Sequence, residues 1–135
     1  MLERLFIPQE HRDEMVAHFE SQRPLEACGL LAGRHERVEK VLLVRNQAQS
    51  PERFVMEPVE QLRALEWIDI HGLDLLGIFH SHPAGPETAS VTDIAEAAYE
   101  VVHVIGSPTS SAWSLRGFWI ENGRSLEVPL FIVRE

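Results

Sequence analysis

Two histidines, His80 and His82, end the apolar run Leu73 to Phe79, and a loop rich in Pro and Gly follows them. Side chains at i and i+2 of an extended chain point to one side, so both imidazoles can reach a single ion. Seven residues separate His82 from Ser90, and two more separate Ser90 from Asp93. Asp93, in the first turn of a helix opening at Ser90, would swing back across the loop as a third ligand. Three protein donors with a fourth position open to water is the catalytic arrangement of zinc, not the structural one. Zinc brings the pKa of a bound water from about 16 to about 7 and polarises a carbonyl. A general base must then come from another element, and Glu26, just ahead of the apolar segment Cys28 to Gly33, is the leading candidate. The Ser90 hydroxyl could donate to an oxyanion, an effect worth a few kcal/mol.

Each residue also has a plainer explanation. His-x-His is a short pattern that occurs without metal. Ser90 and Asp93 fit a capping box, with Ser as N-cap and the acid at N3. Glu26 alone reads as a solvated acid, and Cys28 as an inert buried thiol. His11, His18, His35, His71 and His103 have no comparable partners and read as structural or surface residues.

Mixed elements must position the constellation. Glu3 to Ile7 reads as a short strand, and Pro8 suits the first position of a helix running to about Gln22, with Met15, Val16 and Phe19 inward. Cys28 to Gly33 and Val38 to Arg45 flank a polar turn and read as a hairpin. Phe54 to Met56 is a short extended piece before Pro58 opens a helix in which Leu62, Leu65, Trp67 and Ile68 recur at near-helical spacing up to Gly72. Leu73 to Phe79 is a buried strand that delivers His80 and His82, and Ser90 begins a helix through about Tyr99. Val101 to Ile105, Ala112 to Ile120 and Leu126 to Val133 complete the chain as strands, the last two joined by a turn at 121 to 123. This order predicts an α/β or α+β fold, a mixed sheet flanked by helices.

The 135 residues suit one domain, residues 1 to 135, large enough to fold without a staple, so a metal is free to be catalytic. The apolar and charged fractions, 44% and 24%, exclude disordered, fibrous and disulfide-rich classes. No apolar run approaches the roughly 20 residues of a membrane span. No secretory signal can be drawn through the charged first residues, and one cysteine agrees with a reducing compartment, so a cytoplasmic location is expected. A net charge of -9, from 21 acids against 12 bases, argues against nucleic acid as partner.

Together, Glu26, His80-Ser81-His82-Pro83, Ser90 and Asp93 resemble the signature of the JAMM, or MPN-plus, metalloproteases. The segment Pro24 to Gly33 looks like that family's Glu-bearing strand, and Asn46 with Phe54 to Pro58 like its intervening segment. The resemblance implies a cytidine-deaminase-like fold and zinc held by His80, His82 and Asp93. It also implies Glu26 as base and proton donor, and Ser90 as oxyanion stabiliser. Its substrates would be peptide or isopeptide bonds after the Gly-Gly tails of ubiquitin-like or sulfur-carrier proteins. Phe54, Val55 and Met56 are candidates to pair with such a tail as an added strand, although burial in the core explains Phe54 equally. Ala89 departs from the family, where many relatives have proline. The compact length is similar to stand-alone bacterial and archaeal members and leaves no room for a second docking surface. Three competing functions remain: a scaffold module, which the intact ligand set argues against; a RadC-like protein; and a zinc deaminase, which needs cysteine ligands this chain lacks. The oligomeric state is not legible.

Overall fold

The computed structural model describes residues 1–134. Its elements are β1 (Leu5–Pro8), α1 (Gln9–Gln22), β2 (Cys28–Arg34), β3 (Arg37–Val44), α2 (Pro58–Ile70), β4 (Asp74–Ser81), α3 (Val91–Glu96), β5 (Val102–Pro108), β6 (Trp113–Glu121), β7 (Arg124–Val128) and β8 (Leu130–Val133). All eight strands form one mixed sheet in the order β7-β6-β5-β4-β2-β3-β1-β8. β7 and β8 stand at opposite ends of that order although Pro129 alone separates them in the chain. The sheet must therefore curl until its two edges meet at Pro129.

Both faces of the central strands are covered, which is why β2 and β4 read as apolar runs and not as alternating ones. On one face, Leu31 and Phe79 join Met15 and Phe19 of α1 in the larger core. On the other, Cys28, Leu30 and Ile78 meet Ala64 and Ile68 of α2, and Ile105, Phe118 and Ile120 meet Ile94 of α3. β4 and β5 run parallel, with α3 in the crossover between them. The carboxyl end of such a strand is where α/β proteins place their ligands.

The sheet flanked by helices agrees with the sequence reading, and several boundaries do not. Pro8 closes β1 and caps α1, which starts at Gln9. α3 stops at Glu96, three residues short of Tyr99, because Ala97 turns extended to carry the chain back to β5. Leu126 to Val133 is two strands, since Pro129 has no N–H to continue a ladder. In α2 the inner face is Ala64 and Ile68, while Leu62 is exposed. Phe54 to Met56 contributes one isolated bridge, Met56 to Asn46, and not a strand. The expected hairpin turn is present, with Asn122 and Gly123 both at positive φ, 52° and 72°, as a two-residue connection between β6 and β7 demands. Among the described residues no helix is long and apolar enough to cross a membrane.

Candidate metal centre

β2 and β4 pair antiparallel with Cys28 opposite His80. Continuing that register two residues sets Glu26 across from His82, on the same sheet face, although 55 residues separate them in the chain. The extension is hydrogen-bonded: Ser81 N–H donates to the Ala27 carbonyl at 3.0 Å, and Ala27 N–H donates to Ser81 Oγ at 2.9 Å. His82 N–H donates to the Gly106 carbonyl at 2.7 Å, which fastens the second histidine to β5. Gly106 has no side chain because the Phe19 ring fills that space, where an added Cβ would come within 2.2 Å.

The two histidine rings converge. His80 Nε2 and His82 Nε2 lie 3.0 Å apart, and Asp93 Oδ2 lies 3.2 Å from the first and 3.0 Å from the second. The same Oδ2 accepts from the Ser90 N–H at 2.9 Å, while Ser90 Oγ accepts from the Asp93 N–H at 3.0 Å. The capping box and the ligand geometry thus coexist: the box holds Asp93 in place, and one of its oxygens faces both imidazoles. Capping occupies a lone pair of Ser90 and leaves its O–H free to donate.

Burial and hydrogen bonding set the charges. Glu26, 3% exposed, has its carboxyl pushed up to about 8 by burial, against a partial pull downward from His82. Burial also opposes ionisation of Asp93, but its hydrogen bonds to His80 and His82 outweigh that and hold it well below the usual carboxylate range. His80 is lowered, first by burial. His82 suffers the same desolvation, yet Asp93 and the Pro86 carbonyl more than compensate, and its net shift is upward. His82 Nδ1 donates to that Pro86 carbonyl at 2.7 Å, which aims the Nε2 lone pair at Asp93 and His80.

These donors fit a tetrahedral zinc. Bonds of about 2.0–2.1 Å would place neighbouring donors roughly 3.3 Å apart, close to the three separations observed. One further feature calls for a cation: Glu26 Oε1 is buried without a hydrogen-bond partner, and a carboxylate oxygen of Glu26 lies within 4.8 Å of ring nitrogens of both histidines. With Asp93 at 3.2 and 3.0 Å from the same nitrogens, Glu26 completes a cluster of four candidate donors around one point.

Of the expected residues, Glu26, His80, His82, Ser90 and Asp93 are brought together. Phe54 is half-buried and stacks on the His80 ring, centroids 4.5 Å apart, so it walls the site while packing on the core. Val55 is half-buried and Met56 is buried, and both line a cavity with Asp93. Sequence reasoning gave no role to two residues. Ser81, between the histidines, ties β4 to the Glu26 segment. Asn46 donates to the carbonyls of Glu26 and Arg53 and accepts from Ala48 and Val55 N–H, joining both segments. An Asn followed by a polar, Pro-containing stretch was the available signal.

The chain is similar to known proteins over most of its length. The chain is 41% identical over 130 residues to a probable TtuB-protein conjugate cleaving protease of Thermus thermophilus, covering 96% of this chain and 83% of the relative. It is 32% identical over 123 residues to a desampylase of Haloferax volcanii, covering 82% and 88%. The solution structure of a Desulfitobacterium hafniense protein, 34% identical, superposes with a TM-score of 0.89 over 97% of this chain and 94% of its own. The sequence model for prokaryotic homologs of the JAB domain matches residues 8–116, a span that holds all five converging side chains. With its register, its ligand triangle and its relatives in accord, the chain belongs to the prokaryotic JAB-domain family.

Proposed function

We propose that the chain is a zinc peptidase that hydrolyses the bond following the C-terminal Gly-Gly tail of a ubiquitin-like or sulfur-carrier protein. The single observation that carries the reading is the convergence of His80, His82 and Asp93 to 3.0–3.2 Å with buried Glu26 beside them. Relatives named as a conjugate-cleaving protease and a desampylase support the substrate class. Zinc held by His80, His82 and Asp93 would supply an acidified water and a polarised scissile carbonyl. Glu26 takes the proton from the attacking water and returns it to the leaving nitrogen, which balances the hydrolysis. Burial raises the proton affinity of Glu26 in the metal-free protein, and a bound cation would draw it back down, which suits a group that both accepts and returns a proton. Ser90 Oγ–H donates to the oxyanion that develops on the carbonyl.

The tail would lie along Phe54 to Met56. Residues 53, 55 and 57 spend their main-chain groups on the Asn46 side: the Arg53 carbonyl accepts from Asn46, Val55 bonds Asn46 and Gln47, and Glu57 N–H bonds Arg45. Alternation along an extended chain turns Phe54 and Met56 the other way, available to an added strand. A narrow Gly-Gly end passes beside Phe54 to the metal, where a side chain would collide with the rings. We read the chain as one unit of the cytoplasm that grips the tail alone.

The test is a set of fusions in which a ubiquitin-like tail is followed by alanine, a short peptide or a lysine-linked protein. Specificity constants within a few fold of one another support the reading. A preference of about a hundredfold for one leaving group would show a second docking surface, and absence of cleavage in all of them would refute it.

A further inference from the structure

The backbone of Glu26 is held from outside the sheet. Its N–H donates to the Ser50 carbonyl at 2.9 Å, and its carbonyl accepts from Asn46 Nδ2 at 3.0 Å. Both partners belong to the connection between β3 and α2. The bonds to β4 begin one residue later, where Ala27 and Ser81 are joined twice. Glu26 Oε1 is buried without a hydrogen-bond partner, so the place of the carboxyl follows from where its backbone is fastened.

Asn46, itself buried, uses its whole amide at this point. Nδ2 also donates to the Arg53 carbonyl, and Oδ1 accepts from the Ala48 and Val55 N–H groups, all at 3.0 Å. A primary amide offers two donor hydrogens and an oxygen with two lone pairs, so all four places are taken. Two carbonyls face the nitrogen and two N–H groups face the oxygen, which fixes which way the amide points. Gln47 N–H adds a bond to the Val55 carbonyl at 2.7 Å, and Asn46 bridges Met56. One side chain therefore clamps the main chain of Glu26 and, on both sides of Phe54, that of Arg53 and Val55. Phe54 in turn stacks on the His80 ring.

We propose that Asn46 is a positioning residue for the hydrolysis: its single amide sets both the Glu26 carboxyl beside the metal centre and the Phe54 to Met56 segment along which the tail lies. The inference rests on the proposed function, which gives Glu26 the proton transfer and Phe54 to Met56 the tail. Without the amide, the Glu26 carbonyl and the Arg53 and Val55 main chain lose their common anchor, and each segment drifts separately. A general base displaced by about 1 Å can cost up to 10²-fold in rate. A tail-pairing segment that must order as the tail binds weakens binding, because preorganisation is lost. The two effects thus fall on different kinetic constants and have one cause.

A double-mutant cycle between Asn46→Ala and Glu26→Gln tests the proposal on zinc-loaded protein with a Gly-Gly tail fusion. Alone, Asn46→Ala is expected to keep its zinc, lower kcat by about 10–10²-fold and raise KM by about tenfold. In the Glu26→Gln background the residual kcat should change by less than about twofold, because the base through which Asn46 acts is already gone. Calorimetric Kd for the free tail peptide should still rise about tenfold there, since the tail segment does not depend on Glu26. A merely structural role would lower the residual rate as much in that background as in wild type. If Asn46→Ala does not fold, Asn46→Ser serves in its place: its hydroxyl keeps the local turn at Ala48 but cannot reach Glu26, Arg53 and Val55 together. Unchanged kcat and KM, either effect without the other, loss of zinc, or an equal fall in rate in the Glu26→Gln background overturns the proposal. Those outcomes sink this inference alone, whereas a wild type that neither cleaves nor binds any tail removes the proposed function together with it.

Discussion

Glu26→Gln should do two opposite things at once. The amide keeps the shape of the side chain but cannot accept a proton, so turnover should fall by about 10²–10⁴, the range of general-base contributions. Stability of the metal-free protein should rise. The folded carboxyl titrates near 8 against an ordinary 4.5, chiefly because it is buried. Between those two values the folded state binds more protons than the unfolded one, so metal-free wild type loses stability as pH climbs from 4.5 to 8 and loses no more above it. At pH 7 this linkage is on the order of 2–3 kcal/mol. The substituted amide does not titrate, so after chelation the variant should melt roughly 5–10 °C above wild type at pH 7 and close to it at pH 4.5. Zinc content after reloading should match wild type. Near-wild-type turnover, zinc loss as complete as in Asp93→Ala, or a melting difference independent of pH would each refute the reasoning.

Other variants separate the remaining roles. Ser90→Ala should keep zinc, lower kcat by about 10²–10³ through the lost oxyanion donor, and cost about 1 kcal/mol of stability as α3 loses its cap, read by turnover and denaturant unfolding. Ser81→Ala leaves the Ala27 N–H without its buried acceptor and should cost about 1–3 kcal/mol, with a fall in kcat because Glu26 is the adjoining residue; unchanged stability would show that water replaces the hydroxyl. Cys28, buried and donating to the Val44 carbonyl, has its thiol pushed up to about 12 by burial and then by Glu26. It should resist alkylation at pH 8 in the folded protein and react fully in denaturant, as mass spectrometry would show.

The parts of the molecule that were legible are those in which local chemistry and the fold agree. His80 and His82 end an apolar strand and share a face by period-two geometry, and both facts can be read from the local segment alone. Pro58 opens α2, and Asn122-Gly123 makes a two-residue turn. Legibility failed where distant contacts decide. Ala97 and Ala98 have strong helix propensity, yet the crossover must drop to β5 and the helix ends at Glu96. Leu126 to Val133 keeps one apolar pattern throughout, while Pro129 divides it between opposite ends of a curled sheet. The hold of Asn46 on Glu26 is hidden because nothing in its own segment points to a carbonyl 20 residues away. Ser81 sits unremarked between His80 and His82, and its bond to Ala27 spans 54 residues.

The central claim is tested most directly by one mass-spectrometric measurement on a ubiquitin-like protein whose Gly-Gly tail is fused to a short peptide, incubated with protein that carries about one zinc per chain. The expected result is a single cut after the second glycine, lost on chelation, restored by zinc and absent in His82→Ala. An intact fusion in the presence of a full complement of zinc, a cut elsewhere, or a cut that persists in the metal-free protein would contradict it.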